Sequence, residues 1–245
     1  MRRIIGLSLL ALSLIALCLQ AASWQYHRYE IRHSKNKVIL ANINLTTTEK
    51  SLSQSVIEPT KIAWKKIVLV GRFDPDTEIL VRNRYHEGTY GYGVVTLFTS
   101  ESGKRYWIDR GWVQAGKDAK TAPQTQKVTS EQVSIIARVR IENVERQLGG
   151  TLFALPASSG TATLAKWNGS TSITTEPVYF DLISAIPTTY TPQVPTGLPT
   201  ISDGPHLAYT FQWILFALLV AFAWFLVLRE ERRNRKKGEG QPAKV

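Results

Sequence analysis

The stretch IIGLSLLALSLIALCLQAA, Ile4 to Ala22, is 19 residues without a charge, and LAYTFQWILFALLVAFAWFLVL, Leu207 to Leu228, is 22 more. A bilayer core of about 30 Å needs about 20 apolar residues at roughly 1.5 Å each. Both stretches reach that length, and nothing between them does. Gln20 is the only strongly polar residue of the first; Thr210 and Gln212 interrupt the second. Arg2 and Arg3 precede the first stretch, and Arg229, Arg232, Arg233, Arg235, Lys236 and Lys237 follow the second. Basic flanks stay in the cytoplasm. The expected layout is a cytoplasmic N-terminus (1–3), a span (4–22), an outer domain (23–206), a second span (207–228) and a basic cytoplasmic tail (229–245).

Two other readings of the first stretch compete. Ala21-Ala22-Ser23 is a passable signal-peptidase site, although the apolar run is longer than the usual signal core. Cys18 suggests a lipoprotein signal, although Leu17 stands where a small residue is wanted. In either case the second stretch still anchors the chain. Cys18 is also the only cysteine. The outer domain therefore has no disulfide, thiolate metal site or CxxC redox pair. Net charge is +11, and the tail from Arg229 holds seven basic and three acidic residues. Much of the basicity thus belongs to membrane topology and anionic lipid. Nothing calls for nucleic acid.

Trp24 sits at the membrane interface, where an amphipathic ring is favoured, with Arg28 and Arg32 on its helical face. Residues 23–35 read as a helix leaving the membrane, and 36–60 as a short helix or connector. From Trp64 the period changes to two. Trp64–Phe73 and Glu78–Arg84 read as strands around an Asp74-Pro75-Asp76 turn; Gly91–Thr99 and Lys104–Val113 form a second pair. Gln132–Ile141 and Val178–Ile183 complete six strands. No long periodic helix separates them, so the expected fold is membrane-anchored, β-rich (α+β), with a mainly antiparallel sheet or small closed barrel between two transmembrane helices. Residues 149–176 read as long loops. Five prolines in 187–205 predict an extended strap back to the membrane. No internal repeat and no heptad run is visible.

Catalytic motifs are missing: no Gly-x-Ser-x-Gly, HExxH, P-loop or GxGxxG occurs, so an enzyme is not expected. His27 and His33 are six apart, a poor spacing for co-ligands on a helix. His206 precedes the second span, with Tyr209 or Thr210 one turn below it and Trp213 about 10 Å deeper. It reads either as a haem-iron ligand or as an interfacial polar residue at a helix start. Gln212 lies at a depth where polar groups usually face another helix or a ligand. In Tyr106–Val113, Gly111 suggests a bulge or a close backbone approach, and Arg82 and Arg84 are within reach of Asp109.

These residues resemble the surfeit locus protein family. Trp24-Gln25 with Arg28 matches its WQxxR after the first span. Gly71-Arg72-Phe73 with Glu78 and Val81–Arg84, and then Gly88, Gly91-Tyr92 and Thr96, match its next two signatures. Ile108-Asp109-Arg110-Gly111-Trp112-Val113 matches its RGWV hairpin. Gly204-Pro205-His206-Leu207-Ala208-Tyr209 with Gln212-Trp213 and Phe216-Ala217 matches the start of its second span. The form is that of bacterial members, and the resemblance covers residues 24–217 with gaps. Leu97 replaces a proline common after Thr96, and 149–176 matches nothing in the family pattern.

The resemblance implies an assembly factor for haem-copper cytochrome c oxidase, a chaperone of the respiratory chain in the bacterial inner membrane. It implies haem a as a transient cofactor, with His206 as iron ligand and Tyr209, Gln212, Trp213, Trp24 and Arg28 around it. The partners implied are oxidase subunit I, haem a synthase and the lipid bilayer. Asp109, Arg110, Gly111 and Trp112 carry over as a signature hairpin in which Arg110 is a partner for a haem propionate. A scaffold that stabilises oxidase subunits without touching haem is the alternative.

Overall fold

The computed structural model describes residues 2–117, 121–141 and 163–239. In chain order these form α1 (Arg2–Asn42), β1 (Thr46–Thr47), a 3-10 turn (Glu49–Ser55), α2 (Pro59–Ile62), β2 (Lys66–His86), β3 (Thr89–Ser100) and β4 (Arg105–Gln114). Then come β5 (Gln132–Arg140), α3 (Thr163–Thr171), β6 (Tyr179–Ile186), a 3-10 turn (Thr188–Tyr190) and α4 (His206–Glu239). The chain divides into two compact units, Lys35–Ile201 and the paired ends Met1–Ser34 with Ser202–Val245.

In the paired ends, Arg3–Asn42 and His206–Asn234 are long and apolar enough to cross a membrane. The helices touch along a seam. On α1 it runs through Ile4, Ser8, Ala11, Ile15, Cys18, Ala22, Gln25 and Tyr29, in alternating steps of four and three. On α4 it runs through His206, Thr210, Trp213, Ala217, Val220, Trp224 and Leu228. Two hydrogen bonds fix an antiparallel register: His206 to Gln25 at 2.8 Å, and Trp224 Nε1 donating to Ser8 Oγ at 3.1 Å. This register sets Trp213 at the level of Cys18 and Thr210 at the level of Ala22. The 3.5-residue period is that of a coiled coil. It corrects the expectation of no heptad run. Lipid-facing positions are as apolar as seam positions, so hydropathy hides the repeat and residue size carries it.

In the other unit, α1 runs on to Asn42 without the break expected near residue 35. Its last turns bury Ile39 in the core. Asn42 Nδ2 donates to the carbonyls of Thr60 (2.7 Å) and Ala63 (2.8 Å), tying the helix end to the chain that enters β2.

The sheet order is β1-β2-β3-β4-β6-β5, and β2 also pairs with β5, which closes five strands into a barrel. β2–β3, β3–β4, β5–β6 and β2–β5 are antiparallel; β4–β6 and the short β1–β2 are parallel. A small closed barrel was one of the two expected forms; the parallel pairs make the sheet mixed.

One expected turn is a bulge. Asp74-Pro75-Asp76 does not reverse the chain, because β2 pairs with β3 on both sides of it: Phe73 opposite Phe98, then Glu78 opposite Thr96. Pro75 has no N–H for a ladder. Asp74 satisfies the extra residues locally, accepting from Asp76 N (3.1 Å) and Thr77 Oγ1 (2.7 Å). The reversal comes later, at Glu87 and Gly88, both with positive φ (48° and 78°), as a two-residue hairpin turn requires.

Both faces of β4 are covered. Tyr106 and Ile108 point into the barrel with Phe73, Phe98, Val139 and Phe180. Trp107 packs outside with Leu97 and Tyr179, beneath Leu164 and Trp167 of α3. Trp107 Nε1 donates to Asn168 Oδ1 at 2.7 Å. α3 thus replaces part of the stretch 149–176 expected as loop; residues 149–162 of that stretch lie outside the described residues. Leu164 and Trp167, one turn apart, are the only large apolar side chains on α3, too few for a periodic signal among so many Ser, Thr and Gly.

Arg140 closes one end of the core. It is 1% exposed, paired with Asp181 and stacked 4.2 Å from the Trp64 ring centroid. Removing one partner of a buried ion pair costs about 3–5 kcal/mol, because the other charge is left uncompensated. Arg140→Met is expected to lower thermal stability by that order while Arg82→Met, at an exposed position, leaves it unchanged. Circular dichroism melts of the detergent-solubilised chain measure both.

Candidate functional site

The site on the paired ends starts from backbone geometry. Gly204 takes φ 68°, a conformation that favours glycine, and its N–H donates to Ser202 Oγ at 3.1 Å. Pro205 immediately precedes α4, where a missing N–H costs the helix nothing, and its carbonyl accepts from Tyr209 N at 3.0 Å. His206 therefore stands at the start of α4 on the seam. Thr210 Oγ1 donates to the His206 carbonyl at 3.0 Å, and Thr210 is buried.

The imidazole is held by one side. His206 Nδ1 is 2.8 Å from Gln25 Oε1. Since the amide oxygen only accepts, this bond takes the Nδ1 proton, and in the neutral ring the lone pair is then at Nε2. Nε2 is closed from solvent and has no hydrogen-bond partner. An unsatisfied buried acceptor costs about 1–3 kcal/mol. A ring whose tautomer is fixed on one side and whose other nitrogen is free is the arrangement of a metal-ligating histidine.

The other expected residues divide. Trp213 is half-buried on the seam and meets Phe216 edge-on, with centroids 5.7 Å apart. Tyr209 and Gln212 lie on exposed flanks of α4, so Gln212 does not face the first span. Trp24 is 59% exposed, with the Arg28 guanidinium 6.0 Å from its ring centroid. Arg32 Nη1 and His206 Cδ2 meet at Gly204, where an added Cβ would stand 2.9 Å from the first and 3.5 Å from the second. His33 is no co-ligand: its Nδ1 is 3.0 Å from Asp203 Oδ2 and its ring stacks on Tyr29. No group of three or more metal-binding side chains occurs among the described residues. Sequence reasoning passed over Gln25 and the His33–Asp203 contact. Gln25 carried a signal, since an uncharged polar side chain next to a span end needs a partner.

The signature hairpin is a separate, densely bonded place. Asp109 is fully buried, pairs with Arg84, and accepts from Gly111 N at 2.9 Å. Arg82 stays exposed, so only one of the two expected arginines meets it. Arg110 is 7% exposed; its Nη1 lies 3.4 Å from Glu78 and 3.3 Å from Thr96 Oγ1, and its Nη2 donates to the Gln126 carbonyl. Burial pushes this guanidinium below its ordinary range, and Glu78 works against that shift. A haem propionate at Arg110 would have to compete with a protein carboxylate. A cavity of about 400 Å³ beside it is lined by Arg110, Trp112, Gln124, Gln126, Pro192 and Gln193.

Gly111 is both a bulge and a close approach. Two β3 steps, Gly93 to Val95, face three on β4, Asp109 to Trp112. Gly111 has φ 94°, and an added Cβ would lie 2.3 Å from the Val194 carbonyl of the proline strap. Trp112 N donates to that same carbonyl at 2.8 Å. The strap is therefore bonded across β4 rather than merely extended. Gly111→Ala is expected to destabilise the outer domain by at least about 1–3 kcal/mol, the range for a strained backbone site. Faster proteolysis within residues 187–201 is the check.

Comparison with known proteins bears on both places. The SURF1 family model matches residues 12–218, which include Gln25, the hairpin and His206. SURF1-like proteins described as uncharacterized, from Mycobacterium bovis and two strains of Mycobacterium tuberculosis, are each 25% identical over 251 aligned positions. These alignments cover 97% of this chain and 89% of each relative. The family is associated with cytochrome c oxidase assembly. With the match covering most of its length, the chain belongs to the SURF1 family.

Proposed function

We propose that this protein binds haem a at the outer ends of its two spans and helps insert it into subunit I of cytochrome c oxidase. The observation that carries the reading is the His206 imidazole, protonated at Nδ1 by its bond to Gln25 and left with a buried, unshared lone pair at Nε2. In a membrane helix such a group is retained for a ligand or a partner. The cargo's iron takes that lone pair. Trp24, Tyr209 and Trp213 offer aromatic surface to the macrocycle, with Gln212 and Arg28 as polar neighbours. A single imidazole is a weak hold, which suits a protein that must release its cargo. Haem a synthase is the source of the cargo and subunit I the acceptor. The reading sets the chain in the bacterial inner membrane with both termini cytoplasmic and assigns it no catalytic step.

The protein purified in detergent from cells that make haem a is expected to show a Soret band that His206→Ala abolishes. No band, or a band indifferent to that change, rejects haem binding in favour of a scaffold that holds oxidase subunits. Gln25→Leu is expected to weaken haem binding about 10–100-fold, the usual effect of removing the partner that orients a histidine ligand. A titration followed at the Soret maximum measures it. A deletion strain with full oxidase activity would contradict the assembly role itself.

A further inference from the structure

Arg28 and Arg32 follow Gln25 on α1, and no described residue pairs with either in an ion pair or hydrogen bond. Both side chains are exposed, and at three and seven residues from Gln25 they share its helical face. Arg32 is placed more closely still. Its Nη1 and His206 Cδ2 both border the space above Gly204, and Cδ2 is the ring carbon bonded to Nε2. The Arg32 guanidinium and the His206 ring thus meet at the same glycine. Gly204 itself is set by its backbone, with φ 68°. Glu30, the nearest carboxylate in sequence, is two residues from each, a helical spacing that does not bring side chains together, and Asp203 Oδ2 lies 3.0 Å from His33 Nδ1.

Two unneutralised guanidiniums beside a nitrogen ligand make a site for a molecule with a metal centre and two anionic groups at one edge. Guanidinium recognises carboxylate through paired, charge-assisted hydrogen bonds. We propose that Arg28 and Arg32 form a carboxylate clamp that holds the two propionates of the porphyrin and so fixes which edge of the macrocycle faces His206. This rests on the haem-binding reading of the same site. It assigns the propionates to α1 and leaves Arg110 of the outer domain to its bond with Glu78. Lipid phosphate is the other oxyanion source at this depth, and the test separates the two.

The test compares haemin with haemin dimethyl ester, which keeps the iron and the ring but lacks the carboxylates. Each is titrated into the full chain in maltoside detergent without added lipid. The wild-type chain is expected to bind the ester about tenfold or more weaker than the diacid, a difference of about 1.4 kcal/mol or more. Arg28→Gln with Arg32→Gln should erase that preference, lowering diacid affinity while ester affinity is unchanged. A His206-dependent Soret band with equal affinity for diacid and ester overturns the clamp alone and leaves the arginines to lipid headgroups. Absence of any His206-dependent band removes the haem reading and the clamp together. Loss of ester and diacid binding in equal measure in the double variant makes the arginines structural and also overturns the clamp.

Discussion

Between two helices in a bilayer there is no hydrophobic force, since lipid tails are as apolar as leucine. Association rests on close packing and on the few polar groups that find one another. In this protein the pairing of α1 and α4 is fixed by two such bonds, Gln25 to His206 and Ser8 to Trp224, with small residues between them. The first bond does two things at once. It sets the register of the hairpin, and it fixes the tautomer of the only histidine whose free nitrogen lies buried on the seam. The candidate site is a consequence of how the anchors pair.

The barrel unit meets a related constraint with different means. A closed barrel leaves few strand edges unpaired. β2 manages closure by changing partners along its length: Lys66 to Arg72 pairs with β5, and Gly71 to His86 pairs with β3 on both sides of the Asp74 bulge. The family's hairpin signature then reads as structural chemistry. Asp109 and Arg84, Arg110 and Glu78, and the Gly111 approach to the strap tie β4 to its neighbours. Buried charges of this kind add little net stability when paired, but each is costly to orphan. A motif made of them is hard to change piecemeal, whatever the protein does.

The amino-acid sequence by itself determined the two spans, β3 to β6 within a few residues, β2 as two separate pieces, and the positions of His206 and the hairpin. Length, charge and period are local properties, so they survive without coordinates. The SURF1 resemblance was legible for the same reason, being carried by short motifs. Only the tertiary structure decided what those motifs touch. That Gln25 rather than Gln212 meets the other helix depends on the rotation of both helices about the seam, which uniform hydropathy conceals. That Asp74-Pro75-Asp76 is a bulge depends on a partner strand about 25 residues away. That α3 packs over Trp107 depends on two side chains in a stretch whose composition favours loop. That Gly111 must be a glycine depends on the Val194 carbonyl beside it, and a residue's missing Cβ has meaning only once the neighbour that fills the space is known.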